Sequence, residues 1–375
     1  MLDITDSKNY VEGESICFLN FDLAFGGTEK VIVSLANHFH SLGKKVTILT
    51  LSNKNDFEGF LNSEICVTCL NVRKMKFLIP KLSHYILKNR FDNFFANVWP
   101  LTSLSFVVRA FSQNTNLIFI EHCNLSEQFK NKSNFFKYMQ KISIRILYKF
   151  AHLIVAVSEG VKKDLMDKGV SEDRIKVIYN PVITEPYQEL HAANLAAEQW
   201  KASSKNKLIA VGRFKAQKNF TNLVEAIYIA KNKLNLDLSL LILGDGEERR
   251  KISERIIKLN LQENIFLAGW VSDPLPYYDL SDLFVLSSDY EGFGVVIVEA
   301  MSRGLNIVST NCKSGPSEIL KNGELGFLCE VNNSESLSKT IMNALNHPIP
   351  KERLIRRSYD FSEEKIGKLY EDIVR

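Results

Sequence analysis

Residues 283–304, LFVLSSDYEGFGVVIVEAMSRG, constrain this chain more than any other stretch. A short apolar run at 283–286 is ended by Ser287-Ser288-Asp289, breaks at Glu291-Gly292-Phe293-Gly294, and restarts at helical spacing with Val295, Val298 and Met301. The pattern predicts a strand, a glycine loop and the start of a helix, with Ala300 and Gly304 leaving room for close packing against a sheet. A helix N-terminus that follows a glycine loop projects free backbone N–H groups, and amides and macrodipole together favour a phosphate there. Glu299 falls about one turn inside that helix, on the face that carries Val295 and Val296. A carboxylate does not bind phosphate, but it accepts hydrogen bonds from the hydroxyls of an attached ribose. Glu291 and Glu299 around a phosphate cradle therefore suggest a nucleotide bonded to a polyol. Such a spacing also arises by chance in 375 residues, so the rest of the chain has to support it.

The length allows two domains, each large enough to bury its own core. With 45% hydrophobic and 24% charged residues, the composition is that of a globular protein. No uninterrupted apolar run approaches the roughly 20 residues of a membrane-spanning helix. The opening MLDITDSKNYVEGES is polar and contains acids, without the basic and apolar regions of a secretory signal, so the expected location is cytoplasmic. Six scattered cysteines fit reduced, buried thiols. Cys66-x-x-Cys69 sits in an alternating, strand-like segment where positions three apart point to opposite faces, which disfavours a metal or redox pair.

The net charge of +4 is unevenly spread. Residues 71–150 hold thirteen Lys/Arg against three acids, Asp92, Glu121 and Glu127. Two parts of this segment, NVRKMKFLIPKLSHYILKNR and FKNKSNFFKYMQKISIRILYKF, interleave cations with aromatic and aliphatic residues at helical spacing. Contact with an anionic membrane surface is the expectation, against the plainer one of helices packed on their own domain with lysines in water. Nucleic acid is not expected as a partner, because no recognised binding motif accompanies the basic stretch.

Along the chain, strands are expected at 15–20, 45–51, 91–97, 116–121, 153–158 and 176–178, with a helix over 29–42 that Gly43 ends. Strand, loop, helix and strand in succession imply a parallel sheet with right-handed crossovers, an α/β domain. Gly26-Gly27 ahead of the first helix lets backbone amides approach a ligand, and it is not the GxGxxG of dinucleotide binders. Glu121-His122 closes a strand at its carboxyl end, where side chains of parallel sheets face ligands. A connector with a short helix is expected over 183–202. A second α/β domain follows, with strands at 207–212, 238–243, 265–267, 283–286 and 307–310. At its first strand-to-helix junction stand Arg213 and Lys218, a forked cation and a point charge suited to a diphosphate. Helices over 335–345 and 363–374 end the chain, separated by Pro348 and Pro350.

Gly26-Gly27, Glu121-His122, Gly212-Arg213 with Lys218, Gly244-Asp245-Gly246, Glu291-x7-Glu299 and Ser314-Gly315-Pro316-Ser317-Glu318 occur in the order and spacing of one family. Over almost its entire length the chain resembles the retaining glycosyltransferases of family 4, of the GT-B fold. The resemblance implies an acceptor domain over residues 1–185 and a nucleotide-sugar donor domain over 186–357, two Rossmann-like doubly wound units facing across a cleft. The helix in 358–375 would return to the first. The implied activity is transfer of a hexose or N-acetylhexosamine from a nucleotide sugar, UDP-linked, to a glycan or polyprenyl-diphosphate-linked acceptor. The setting would be polysaccharide, lipopolysaccharide or glycoprotein glycan synthesis, by a protein peripheral on the cytoplasmic face of the inner membrane.

Carried over residue by residue, the resemblance makes Arg213 and Lys218 the pair that neutralises the donor diphosphate, with the amides of Gly294, Val295 and Val296. Glu299 would hold the ribose, Glu291 and the Phe293 amide the donor sugar, and the Val271 backbone the base. Gly27 would meet the phosphate from the other domain, and His122 would lie near the donor sugar. Catalysis is then expected of His122, Glu291, Arg213 and Lys218, without a cofactor. No Asp-x-Asp occurs, so no metal is expected. Ser314-Gly315 replaces the double glycine of many relatives, and Asn332-Asn333 stands where an aspartate often follows. The variant is similar to enzymes of bacterial surface-polysaccharide assembly, many of which use UDP-sugars such as UDP-GalNAc.

Three alternatives compete. A Rossmann oxidoreductase or epimerase needs the absent GxGxxG fingerprint. A non-catalytic scaffold would have lost Glu299, Arg213 or Lys218, and all are present. A sugar-phosphate or sucrose-type synthase would keep the donor site and take a soluble acceptor. The basic, aromatic surface of the first domain favours a lipid-linked one.

Overall fold

A computed structural model describes residues 14–24, 26–182, 195–203 and 206–374. The opening segment, Phe25 and the expected domain junction at 185/186 lie outside the described residues.

Thirteen strands form among the described residues, in two sheets. The first is built from β1 (Ser15–Asn20), β2 (Lys45–Thr50), β3 (Cys66–Cys69), β4 (Asn93–Asn97), β5 (Asn116–Glu121), β6 (Leu153–Ala156) and β7 (Ile175–Val177), in the order β3-β2-β1-β4-β5-β6-β7. The second contains β8 (Asn206–Val211), β9 (Leu238–Leu243), β10 (Ile265–Gly269), β11 (Leu283–Leu286), β12 (Asn306–Thr310) and β13 (Phe327–Cys329), in the order β10-β9-β8-β11-β12-β13. Pairing is parallel, for example Leu283 with Leu208 and Ser15 with Lys45. These are the two doubly wound, Rossmann-like sheets the sequence pattern implied.

The chain divides into two compact units. Unit 1 gathers Met1–Glu121, Gln140–Val155 and Tyr370–Arg375, and unit 2 gathers His122–Met139 and Ala156–Leu369. In unit 1, His38 Nε2 meets Glu371 Oε1 at 2.9 Å, and Asn116 Nδ2 donates to the Ile373 carbonyl at 2.9 Å. The buried Tyr370 ring lies 6.3 Å from Phe95.

Strands buried on both faces read as continuous apolar runs, and LSLLIL of β9 is entirely buried. In unit 2, Leu208, Leu240, Ile242 and Val285 of the sheet join Phe220, Val224 and Ile227 from the helix Phe220–Asn232, and Leu337 and Ile341 from the helix Ser334–Asn346. Burying five or six such side chains contributes on the order of 10 kcal/mol against chain entropy, which fixes the sheet that positions the loops.

Several elements were not anticipated. The edge strand β13 has three residues, too short for a period to register. The helices Arg249–Lys258 and Lys351–Ser358 are charge-rich, with two buried residues each, so their apolar stripes are nearly invisible in sequence. Cysteine burial was overestimated: Cys17, Cys312 and Cys329 are buried, but Cys66 is exposed and Cys69 half-buried, because β3 is the edge strand of its sheet, and Cys123, beyond the end of β5, is half-buried as well.

Both sheets reverse their strand order once, between β1 and β4 and between β8 and β11. Loops that leave adjacent strands in opposite directions open a crevice there, the usual ligand position of open α/β sheets. In unit 2 this crevice begins with a fit only glycine allows. Gly244 has φ of 136°, and a Cβ on it would come 2.0 Å from the Gly212 carbonyl oxygen. Gly244→Ala is expected to cost about 3 kcal/mol or more, through a backbone conformation alanine rarely adopts and a clash with main chain that cannot step aside. Gly59→Ala, where a Cβ meets open space, should cost about 0.5 kcal/mol or less. Urea unfolding with unchanged slope would measure both, and equal midpoints would contradict the packing described.

Candidate functional site

The loops after β8 and β11 meet through a buried ion pair. Lys218 lies in a single helical turn, Ala216–Lys218, after β8, and its Nζ reaches Glu291 Oε1 at 2.7 Å. The same carboxylate oxygen accepts the Ser288 hydroxyl at 2.6 Å. Both side chains of the pair are largely shielded from water, so the charges attract in a medium of low dielectric constant, and either one left alone would pay a desolvation cost. Four further bonds bind the loops together: Ser287 Oγ to the Lys218 carbonyl at 2.8 Å, Gln217 Nε2 to the Tyr290 carbonyl at 2.8 Å, Asp289 N to the Gln217 carbonyl at 2.8 Å, and Asn219 Nδ2 to Asp289 Oδ1 at 2.7 Å. Thr310 Oγ1, at the end of β12, holds the Ser288 carbonyl at 2.6 Å.

Gly292, Gly294 and Gly315 then let the loop thread between two backbones. A Cβ on Gly292 would come 1.7 Å from the His122 carbonyl oxygen, and one on Gly315 would come 1.9 Å from the Phe293 carbonyl oxygen. Gly315 has φ of 99° and Gly294 has φ of 104°, the left-handed region that favours glycine. Ser158 Oγ donates to the Gly292 carbonyl at 2.7 Å. The Phe293 ring is buried between Tyr179 and Phe361, with centroids 5.4 and 5.2 Å away, so this residue anchors the loop by its side chain and leaves only its main chain to a ligand.

Gly294 is the N-cap of the helix Val295–Ser302, whose first-turn amides have no partner inside the helix. Val295 and Val296 are half-buried, and Glu299 is buried one turn on. Tyr278 donates its hydroxyl to Glu299 Oε2 at 3.2 Å. A helix N-terminus, a lysine and two buried carboxylates therefore converge at the switch point of this sheet. An anion fits the amides and Lys218, and a polyol fits the carboxylates.

The other expected residues are distributed differently. Arg213 is exposed, with Glu247 Oε2 4.0 Å from its Nε, so its charge is available to a ligand at the mouth of the loop. Val271 is half-buried in the turn after β10. Gly27 begins the helix Gly27–Ser41 in unit 1, and a Cβ there would meet nothing within 4 Å.

Glu121 and His122, adjacent in sequence, have separate environments. The Glu121 carboxylate is fully buried in unit 1, where it accepts from the Thr102 hydroxyl at 2.8 Å, the Tyr148 hydroxyl, and the Trp99 amide at 3.3 Å. It fastens the turn after β4 and does not face a crevice. In unit 2, His122 is also buried, and desolvation lowers its pKa from 6.5 to about 3. The ring is thus neutral throughout the physiological range, able to donate one hydrogen bond and unable to supply a positive charge.

Sequence reasoning missed Ser288, Asn219, Gln217, Thr310 and Tyr278, which position the charged groups. Ser287-Ser288 carried a signal only as a strand terminator. Tyr278 sits in a helix too short to show a period.

In an unfolded chain His122 takes up a proton near pH 6.5, and in the folded protein only near 3, so stability is full above 6.5 and falls as the pH drops toward 3. Compared with His122→Asn, the wild-type protein should lose up to about 1.4 kcal/mol more per pH unit below that point. Urea unfolding between pH 7.5 and 5 would read this, and parallel curves for the two proteins would contradict the burial of a neutral ring.

The chain matches the family model of glycosyl transferases group 1 over residues 193–361, and that of Glycosyltransferase Family 4 over residues 25–186. It is 27% identical over 364 residues, 94% of each chain, to a Campylobacter jejuni protein named N-acetylgalactosamine-N,N'-diacetylbacillosaminyl-diphospho-undecaprenol 4-alpha-N-acetylgalactosaminyltransferase. Among solved structures it resembles Anabaena HepE in complex with UDP and glucose, with a TM-score of 0.78 at 19% identity, covering 96% of this chain and 98% of that one. Sucrose-phosphate synthase from Thermosynechococcus elongatus gives a TM-score of 0.76 at 18% identity, over 96% and 99%. At these identities the structural likeness shows the shared GT-B fold.

Proposed function

We propose that this chain, which belongs to the glycosyltransferases of family 4, moves a hexose or N-acetylhexosamine from a UDP-sugar to a glycan or lipid-linked glycan, with retention at the anomeric carbon and without a metal. The observation that carries the reading is the convergence of Lys218, the amides that open the helix Val295–Ser302, Glu291 and Glu299 at the switch point of one sheet. Lys218, Arg213 and the amides of Gly294, Val295 and Val296 take the diphosphate. Glu299 takes the ribose hydroxyls, Glu291 and the Phe293 amide the sugar, and the Val271 backbone the base. His122, neutral, lies by the sugar.

In the step itself the bond from the anomeric carbon to the diphosphate oxygen breaks, and its electron pair stays on the diphosphate. The acceptor hydroxyl adds to the same face of an oxocarbenium-like carbon, and its proton passes to the departing phosphate oxygen. Lys218 and Arg213 supply the countercharge for the leaving group that a metal would otherwise provide. Catalysis then rests on positioning and on preorganised charge rather than on a protein nucleophile.

A lipid-linked acceptor suits the surface of the helix Asn134–Leu147. Phe135, Tyr138, Met139 and Ile146 are exposed there, Phe135 at 74%, interleaved with Lys137, Lys141 and Arg145. Aromatic and cationic residues so mixed bind an anionic bilayer surface from the side. The Campylobacter relative is named for a diphospho-undecaprenol acceptor, which supports such a placement. No helix among the described residues is long and apolar enough to cross a membrane. We place the protein on the cytoplasmic face of the inner membrane, in polysaccharide, lipopolysaccharide or glycoprotein glycan synthesis. A synthase acting on a soluble sugar phosphate is the second reading, favoured by the fold shared with sucrose-phosphate synthase. It leaves that exposed helix face unexplained.

Thermal stabilisation across a panel of nucleotide sugars and nucleoside diphosphates tests the donor site. UDP or a UDP-sugar should stabilise the protein, and Lys218→Ala and Glu299→Ala should each weaken binding about tenfold or more, the usual effect of removing a charge-assisted hydrogen bond. Wild-type affinity in both variants would remove the assignment. For the membrane surface, co-sedimentation with vesicles containing anionic lipid should fall several-fold between about 50 and 300 mM salt, as screening predicts. Salt-independent or absent binding would favour the soluble acceptor.

A further inference from the structure

The second sheet ends at β13 in an edge that the chain itself covers only in part. β13 pairs with β12 in parallel, and the Asn311 amide donates to the Cys329 carbonyl at 2.7 Å. Along a strand of a parallel pair, residues that bond the neighbour with both main-chain groups alternate with residues that turn both the other way, so Leu328 faces away from β12. No strand lies beyond it, since β13 is the last of its sheet. The next outward amide, that of Glu330, is met by Ser336 Oγ at 3.3 Å. The N–H and C=O of Leu328 have no partner among the described residues. Edges left open in this way are templates for another chain, and proteins ordinarily blunt or cover them.

A groove of about 440 Å³ runs along this edge, between the helix Ser334–Asn346 and the turn Lys321–Gly323. Ser336, Thr340 and Asn343 place one face of the helix beside it over about 10 Å, the length of about three residues of extended chain. The exposed side chains of Asn322, Lys339 and Asn343 line the groove and have no partner among the described residues. No carboxylate lines it among those residues. The carboxylates that 320–350 does contain are engaged elsewhere: Glu324 with Arg353 at 2.8 Å, Glu330 with Asn333 at 2.7 Å, and Glu335 with Lys233 at 3.4 Å. Lys339 is thus a cation without a counterion, beside a main chain without a pair.

We propose that this groove docks an extended acidic peptide of a partner protein, which adds to β13 as a further strand: its main chain bonds the N–H and C=O of Leu328, and one of its carboxylates pairs with Lys339. A donor and an acceptor offered by one strand residue are what the main chain of another strand complements, and main-chain bonds of this kind supply affinity while a side-chain contact supplies selection. The single uncompensated cation makes that selection one for negative charge. The groove shares no residue with the loops that carry Lys218, Glu291 and Glu299, so a docked chain leaves those loops as they are.

Nuclear magnetic resonance of the full chain, labelled with nitrogen-15 at leucine, reads the Leu328 amide directly. The probe is a capped hexapeptide of alternating valine and glutamate, with a valine and lysine counterpart as its control. The Leu328 signal should move saturably with the glutamate peptide and about threefold or more less readily with the lysine one, the ratio expected of an exposed charge pair. Lys339→Glu should reverse that order. A glutamate peptide methylated on its main-chain nitrogens keeps its charge and loses its donors, so it should leave the Leu328 signal where it is. An unmoved Leu328 amide with the glutamate peptide, equal response to both peptides, or an order unchanged in Lys339→Glu would overturn the proposal. So would a shift produced by the methylated peptide, or one produced by the neutral sugar chain maltotriose and not by the glutamate peptide. Should Lys339→Glu not fold, the comparison of the methylated and unmethylated peptides on the wild-type protein decides.

Discussion

The buried pair of Lys218 with Glu291 is the interaction on which the candidate site of unit 2 depends. It closes the distance between two loops that the sheet order drives apart, one after β8 and one after β11. A charge pair in low dielectric is costly to assemble and more costly to break, because the remaining partner is stranded. The loops are thereby held in one arrangement before any ligand arrives. The bonds of Ser287, Gln217, Asn219 and Thr310 serve the same purpose at lower individual strength, and each joins a loop residue to one from another element.

Glycine provides the complementary constraint. The Glu291 loop lies so close to the main chain at His122 and to Gly315 that no side chain fits at Gly292 or Gly315, and the Phe293 ring is sunk in the core beneath. Polar function and apolar anchoring alternate within four residues. The loop therefore combines backbone amides and the Glu291 carboxylate with a Phe293 ring packed as in a protein interior. Electrostatic preorganisation of this kind is what a leaving diphosphate requires.

Much of this was legible in the sequence because parallel strands buried on both faces read as apolar runs, and because the glycine loop before Val295 breaks such a run abruptly. Lys218, Glu291 and Glu299 were recognisable by residue type and spacing, and the structure brings Lys218 into contact with Glu291. What escaped had physical reasons. Glu121 stands at a strand end, where polar residues ordinarily face a crevice, yet its partners Thr102 and Tyr148 are 19 and 27 residues away in sequence and fold over it. Tyr278, Ser288 and Thr310 act by supporting other side chains, and support leaves no spacing rule to read. The helix Lys351–Ser358 was hidden between prolines and charges, with only Leu354 and Ser358 buried.

The central claim is that a diphosphate binds where the helix Val295–Ser302 begins, on a loop already fixed by Lys218 and Glu291. A crystal structure of the protein soaked with UDP addresses it directly. The account predicts the diphosphate within hydrogen-bond distance of Lys218 Nζ and of the amides at Gly294, Val295 and Val296, with the ribose hydroxyls on Glu299. A diphosphate bound elsewhere, or a ribose turned away from Glu299, would contradict it.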